Sequence, residues 1–415
     1  MPTSYQPEVA SANPVLTPGT TDPGFVAGER LLEAARALGP LIREHADAAE
    51  RERRLTKPVI DALAGAGLQR MFTPQTLGGL ETDPVTCARV VEEIAGFDSA
   101  AGWALQSGNT GAWWCARLPA EGAQEIFANG PDALMAAAFH PPHRAVPAPG
   151  GYRFTGRGPL ASTIHDSSWL MMTALVFDGD QPRMTDHGPE VVGLVLRTQD
   201  VQIVDTWHSL GMRGTDSNDV AADDVFVPMS RTFPLGPEFA RGPHFQGPLY
   251  RFPGVGSVLV VVVPVALAIA RGAIAELRAL ALRKTPLGST KTLRDRTTVQ
   301  ATLAEAEGIL RSARLLFYDT LATTWQRTRA GEPNTLEQKA DLLLAGAHAV
   351  KSAAHVADLM HRLAGTSGIY TRSRLERHLR DAQTVRHHGF ASASRLEAVG
   401  QVYLGVAPEF ELVAL

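Results

Sequence analysis

The sequence predicts a mainly α protein with a central β domain, and three observations carry that expectation. Residues 26–143 repeat apolar side chains at spacings of three and four. Residues 144–250 break into short β-rich pieces separated by Gly, Pro, Asp and Asn. From 251 onward the long helical pattern returns. The expected organisation is a flexible tail (1–25), an N-terminal helical domain (26–143), a middle antiparallel β-barrel (144–250) and a C-terminal four-helix bundle (251–415).

The tail, "MPTSYQPEVASANPVLTPGTTDPGF", is rich in Pro, Ser and Thr and has neither the basic nor the apolar region of a signal peptide. "GERLLEAARALGPLIREHADAAERERRL" then sets charges opposite an apolar face. Thr56-Lys57-Pro58 reads as an N-cap with Pro just inside a new helix. Pro74 and Gly78-Gly79 interrupt the pattern before "DPVTCARVVEEIAGFD" resumes it. In the middle region "YRFTGRGPLAST", "WLMMTALVF", "EVVGLVLR" and "VQIVDTW" are the strand candidates. Helical stretches at 256–283, 292–328, 335–364 and 372–400 have the signature of an up-down bundle. The apolar run at 255–270 is shorter than the roughly 20 residues a membrane span needs. Pro264 interrupts it and an amphipathic stretch follows, so a buried core helix is expected and no membrane partner.

A chain of 415 residues exceeds one ordinary core. Its 45% hydrophobic and 20% charged content are those of a globular protein. A net charge of −4 without a Lys/Arg cluster gives no footprint for nucleic acid. Cys87 and Cys115 lack CxxC spacing, which suits a reduced, cytoplasmic setting. A di-iron bundle needs paired Glu-x-x-His motifs, whereas Asp358-x-x-His361 stands alone, so no metal site is expected. Gly254-Val255-Gly256 does not complete a dinucleotide motif, and there is no P-loop or G-x-S-x-G elbow.

Three longer motifs say more. They are "WHSLGMRGTDSNDVAADDVFVP" (207–228), "LRKTPLG" (282–288) followed by Val299-Gln300 and "LAEAE", and "AGTSGIYTRSRLERHLRDA" (364–382). In this order, over nearly the whole chain from about residue 30, they resemble the acyl-CoA dehydrogenase fold. Many of those dehydrogenases carry a catalytic Glu in a Tyr-Glu-Gly segment shortly after Arg-Asp-Ala; this chain has His387, His388 and Gly389 there. A proton α to a thioester then has no base at that position. A His at this place resembles the two-component flavin-dependent monooxygenases, which include p-hydroxyphenylacetate hydroxylase, dibenzothiophene monooxygenase and the aromatic polyketide hydroxylases.

That resemblance implies an oxygenase component. It would take reduced FMN, with FAD possible, from a separate NAD(P)H-dependent flavin reductase. With O2 it would hydroxylate a phenolic or polycyclic aromatic substrate through a C4a-(hydro)peroxyflavin. A homotetramer is implied. Other readings are N-oxygenation of an amine or amino sugar, a dehydrogenase or oxidase with a displaced base, and a binding protein without catalysis.

The resemblance also assigns residues. His388 would face the flavin and Ser162 would meet its N5; plainer readings are a surface histidine and a strand-end hydroxyl. Either His387 or His388 could fill the first role. Trp207 and Ser217 would line or support the cofactor cleft, or belong to the β core. Arg283 would reach the flavin phosphate of a neighbouring subunit, with Gly365, Thr366 and Ser367 across the same interface. Trp103, Phe139, His140 and Trp169 would wall an aromatic substrate pocket, though most aromatics at such spacing are core. Gly211 and Gly214 read as turn glycines with positive φ. Gly158 and Thr163 stand where the resemblance predicts Trp and Gly.

Overall fold

A computed structural model describes residues 23–139, 143–186, 188–235, 242–410 and 412. The N-terminal helices are α1 (Pro23–Ala37), α2 (Gly39–Glu52), α3 (Lys57–Gly65), α4 (Pro84–Phe97), α5 (Ser99–Cys115) and α6 (Ala120–Ile126). Local chemistry sets several of their starts. The Asp83 carboxylate accepts from Thr86 N–H at 2.9 Å, and Asp98 accepts from Ala101 N–H at 3.0 Å, capping α4 and α5. Thr56 does precede α3, with Pro58 in its first turn, but its hydroxyl makes no capping bond.

The strands are β1 (Met135–Ala138), β2 (Arg144–Ala148), β3 (Gly151–Ala161), β4 (Trp169–Asp178), three two-residue pieces β5 (Gln181–Pro182), β6 (Met184–Thr185) and β7 (Gly188–Pro189), then β8 (Val191–Arg197), β9 (Gln202–Val204), β10 (Asn218–Pro228) and β11 (Thr232–Leu235). The main sheet runs β11-β8-β4-β2-β3-β10-β9, with β1 beside β4. Most pairs are antiparallel; β1 and β2 run parallel to β4, which makes the sheet mixed. The unbroken apolar run of β4 suits a strand covered on both faces, whereas β3 alternates between buried and exposed.

The C-terminal helices are α7 (Gly254–Ala281), α8 (Thr297–Arg329), α9 (Leu336–Ala364), α10 (Arg374–Val385) and α11 (Arg395–Tyr403). Thr335 and Gln338 form a reciprocal capping box at the start of α9. Helix α7 is apolar and long enough to cross a membrane, but 83% of its apolar window is buried. It packs against α4, α5, α9 and α10. Beside it the buried Glu92 of α4 accepts from Arg271 at 2.8 Å, Arg314 at 3.1 Å and Tyr318 at 2.7 Å, joining α4, α7 and α8. A carboxylate so placed is tolerated only because its charge and lone pairs are matched.

The helix expected over 372–400 is two helices. Between α10 and α11 the chain turns, and Phe390 N–H donates to His388 Nδ1 at 3.3 Å. A side chain has taken a backbone donor that a continuing helix would need. The break moves His388 off the bundle and toward α5.

Candidate functional site

Three separate segments meet at Ser162. The first is the end of β3 and the turn that follows, where Leu160 (φ 63°) and Thr163 (φ 55°) lie on either side of Ser162 in left-handed conformations. A β-branched residue there is strained by about 1–3 kcal/mol, and surrounding contacts must hold it. They do: Thr163 N–H donates to Thr215 O at 2.8 Å. Ser107 Oγ donates to Ser162 O at 3.2 Å and also bonds the Thr163 hydroxyl. Glycine, the residue the resemblance predicts at 163, would adopt this φ freely; Thr163 is held in it by hydrogen bonds. Gly158 has no room for the predicted Trp, because even a Cβ would come within 2.6 Å of Ala138 Cβ.

The second segment is α5. Trp103 and Ser107 lie four residues apart, on one face of the helix. Trp103 Nε1–H donates to Ser162 Oγ at 3.0 Å while Ser107 holds the Ser162 carbonyl.

The third segment is the loop leading into β10. Thr215 Oγ1 donates to Met212 O at 2.9 Å. A carbonyl can only accept, so the single Thr215 hydroxyl proton is committed there. Ser217 must therefore donate to Thr215 (2.7 Å), and Ser162 must donate to Ser217 (2.8 Å). The chain has one direction: Trp103 to Ser162 to Ser217 to Thr215 to Met212. Ser162 Oγ is left with accepting capacity only.

This loop is fixed from outside. Gly211 N–H donates to Thr384 Oγ1 at 3.0 Å, Met212 N–H to Asp381 Oδ1 at 2.6 Å, and Arg380 to Leu210 O at 2.9 Å. Asp381 is buried, accepts from Ser99 Oγ at 2.5 Å, and has its pKa raised by burial against the opposing pull of Arg377. Gly211 is required because a Cβ would lie 2.3 Å from the Arg380 carbonyl carbon. Neither Gly211 nor Gly214 has the expected positive φ; Met212 (53°) and Asp216 (52°) carry it instead. The glycines serve close packing, and the turn itself is made by their neighbours.

His388 completes the cluster. Its ring lies edge-on to Trp103, with centroids 5.4 Å apart at 73°. His387 beside it is exposed. Desolvation pushes the His388 pKa down to about 4, so at neutral pH the ring is uncharged. With Nδ1 accepting from Phe390, its proton sits on Nε2. A neutral ring of this tautomer has a proton to donate through Nε2. Among the described residues, no Asp or Glu hydrogen-bonds to Trp103, Ser162, Ser217 or His388.

Among the described residues, Trp207, Phe139 and Trp169 bond neither to Ser162 nor to His388. Trp207 points its Nε1–H back at Arg213 O (2.9 Å) and Met212 O (3.2 Å), closing its own loop. Phe139 packs on Trp114 at 5.8 Å, and Trp169 lies beneath Arg197 and Arg231 at 5.3 and 5.6 Å. His140 lies outside the described residues. Arg283 and Ser367 line an open cleft together with Glu276, Tyr370, Arg372 and Arg374. Next to it Gly365 adopts φ 52°, and Gly365 and Thr366 are exposed. That cleft shares no lining residue with the Ser162 cluster. The sequence does not mark Ser107 or Asp381 for the site, and Thr215 enters only among the hydroxyls of the 207–228 motif. The spacing of Ser107 to Trp103 was the one local signal available.

Comparison with known proteins decides the family. The acyl-CoA dehydrogenase N-terminal domain profile matches residues 31–124, and the C-terminal domain profile matches 260–393. The chain belongs to the acyl-CoA dehydrogenase family. An indole-3-acetate monooxygenase of Pseudomonas putida is 33% identical over 377 residues, covering 90% of this chain and 94% of that protein. The FADH(2)-dependent resorcinol hydroxylase oxygenase component of a Rhizobium species is 30% identical over 49% of each chain. XiaF from Streptomyces, solved with FADH2 and glycerol, superposes with a TM-score of 0.87 at 24% identity, over 93% of this chain and 98% of that one. Within the acyl-CoA dehydrogenase family, this chain is an oxidoreductase of the monooxygenase branch.

Proposed function

We propose that this protein is the oxygenase component of a two-component flavin-dependent monooxygenase. It hydroxylates a small aromatic substrate, using O2 and reduced flavin from a separate NAD(P)H-dependent reductase. The observation that carries this reading is the accept-only hydroxyl of Ser162 beside Trp103 and a neutral His388. Reduced flavin carries a hydrogen on N5 and needs an acceptor there; oxidised flavin needs a donor. The residues present therefore fit the reduced cofactor.

When bound, reduced flavin activates dioxygen and delivers one oxygen atom to the substrate. The protein's share is to hold, orient and keep water out. Ser162 Oγ accepts from N5–H, and Trp103 and Ser217 fix its orientation. His388 Nε2–H is the donor for the reacting oxygen or the substrate's polar group. Ser107 and Thr215 hold the strained turn that presents Ser162. An α-proton abstraction, by contrast, calls for a carboxylate, and the cluster has none bonded to it. The name of the relative at 33% identity supports an aromatic substrate.

Arg283, Arg372 and Arg374 share one cleft, which suits a phosphate. The cleft shares no lining residue with the Ser162 cluster, which suits a flavin held between two subunits of a homo-oligomer, a homotetramer in the family the chain resembles. Light scattering should give a dimer or tetramer at micromolar concentration; a stable monomer removes Arg283 and residues 365–367 from the site.

The reading is tested by mixing the protein with an aromatic acid such as indole-3-acetate, O2, and either FMN or FAD. Hydroxylated product is expected with chemically reduced flavin or with an added reductase. NADH consumption by the protein alone with oxidised flavin contradicts the two-component assignment.

A further inference from the structure

Two consecutive backbone amides of the site loop are held by one face of α10. Gly211 N–H donates to Thr384 Oγ1 at 3.0 Å, and Met212 N–H to Asp381 Oδ1 at 2.6 Å. Asp381 and Thr384 are three residues apart, so both side chains leave the helix on the same side. The Thr384 hydroxyl donates to Arg380 O at 3.0 Å, which leaves its oxygen only to accept from Gly211. Asp381 is matched on both oxygens, since Oδ2 accepts from Ser99 Oγ at 2.5 Å. A carboxylate this deeply buried is tolerated only when so matched.

Met212 is the residue on which this grip acts. Its φ of 53° is left-handed, a conformation that a residue with a Cβ leaves unless its surroundings hold it there. The Met212 carbonyl accepts from Thr215 Oγ1 at 2.9 Å, from Thr215 N–H at 3.1 Å and from Trp207 Nε1–H at 3.2 Å. That carbonyl ends the hydroxyl chain and so sets the direction of every proton in it. The loop side of Met212 is thus fixed through its oxygen, and the bundle side through its nitrogen.

We propose that Asp381, with Thr384 in support, is a positioning residue of the flavin site: it holds Met212 left-handed from α10, keeps Ser162 an acceptor, and thereby sets which redox state of flavin the protein prefers. This rests on the reading above, in which Ser162 Oγ accepts from N5–H of reduced flavin. With Asp381 removed, Met212 relaxes and its carbonyl turns away from Thr215. The Thr215 hydroxyl proton is then uncommitted, and Ser217 and Ser162 are free to reverse. Ser162 gains a proton to offer oxidised N5. A lost packing contact would weaken both redox states alike, whereas a lost proton direction changes their ratio.

The test is anaerobic titration of the full-length protein with reduced and with oxidised FMN. Wild type is expected to prefer reduced FMN by about ten-fold. In Asp381→Ala the preference should fall to within about two-fold. The midpoint potential of the bound flavin should then drop by up to about 30 mV, the two-electron equivalent of a ten-fold ratio. Asp381→Asn keeps a carbonyl oxygen for Met212 N–H and should retain a preference of at least about five-fold. Thr384→Val removes the Gly211 acceptor at a half-buried position and should lower the preference about three-fold. It carries the test should a thermal melt show that Asp381→Ala does not fold. A preference that keeps its wild-type value in Asp381→Ala, or in Thr384→Val where Asp381→Ala does not fold, makes this seam structural only and overturns the assignment alone. Equal binding of both redox states by wild type overturns the N5 reading of Ser162, and this proposal with it.

Discussion

Replacing His388 with alanine is expected to cut hydroxylated product by about 100- to 1000-fold, the usual cost of losing one oriented donor at a reacting oxygen. The reason lies in the tautomer. Phe390 N–H occupies Nδ1, and desolvation holds the ring pKa near 4, so the proton on Nε2 is fixed in place. Flavin consumption should continue in the variant, with reducing equivalents recovered as hydrogen peroxide. His388→Gln, whose amide nitrogen can occupy the Nε2 position, should retain part of the yield. The pH profile separates donation from base catalysis. A ring already neutral above about pH 4 gives a product yield that does not inflect on its account between pH 5.5 and 8. An inflection near 6.5 that vanishes in His388→Ala means that the ring titrates in the working enzyme and acts as a base.

The sequence made the layered order of the fold legible because each element carries its own period. Apolar residues at 3.6 spacing mark α4, α8 and α9, and the unbroken run of β4 marks a central strand. The Ser162 site was legible only through the resemblance. Its bonds cross long stretches of chain, 59 residues for Trp103 to Ser162 and 282 for Ser99 to Asp381, and no local pattern encodes such pairings. Residue type misleads in the same way. Trp103, Phe139 and Trp169 are alike as pocket candidates in sequence, yet Trp103 alone of the three bonds to the Ser162 turn, because core and pocket use the same aromatics. Gly211 shows a further gap. Its need for a bare Cα comes from Arg380, 169 positions away in the chain, and not from its own φ. His388 was visible as a departure from a family pattern.

The second large effect concerns which redox state of the flavin the protein prefers. The hydroxyl chain ends on the Met212 carbonyl, and that end decides the direction of every proton before it. Ser162 can then accept from N5–H of reduced flavin but has no proton for N5 of the oxidised form. Wild type should therefore bind reduced flavin more tightly, by about ten-fold for one hydrogen bond of this kind. Ser162→Ala removes the acceptor, so the reduced form should weaken about 5- to 100-fold, with little change for the oxidised form. Ser217→Ala acts in the opposite sense. It releases the Ser162 proton from its partner, and that proton becomes available to oxidised N5. Oxidised flavin should bind about five- to ten-fold tighter in this variant, and the midpoint potential of the bound cofactor should fall relative to wild type. Anaerobic titrations with both redox states measure these four changes without any turnover. Equal shifts for oxidised and reduced flavin in both variants would mean that Ser162 does not address N5, and that the hydroxyl chain serves only to hold the strained turn at Leu160 and Thr163.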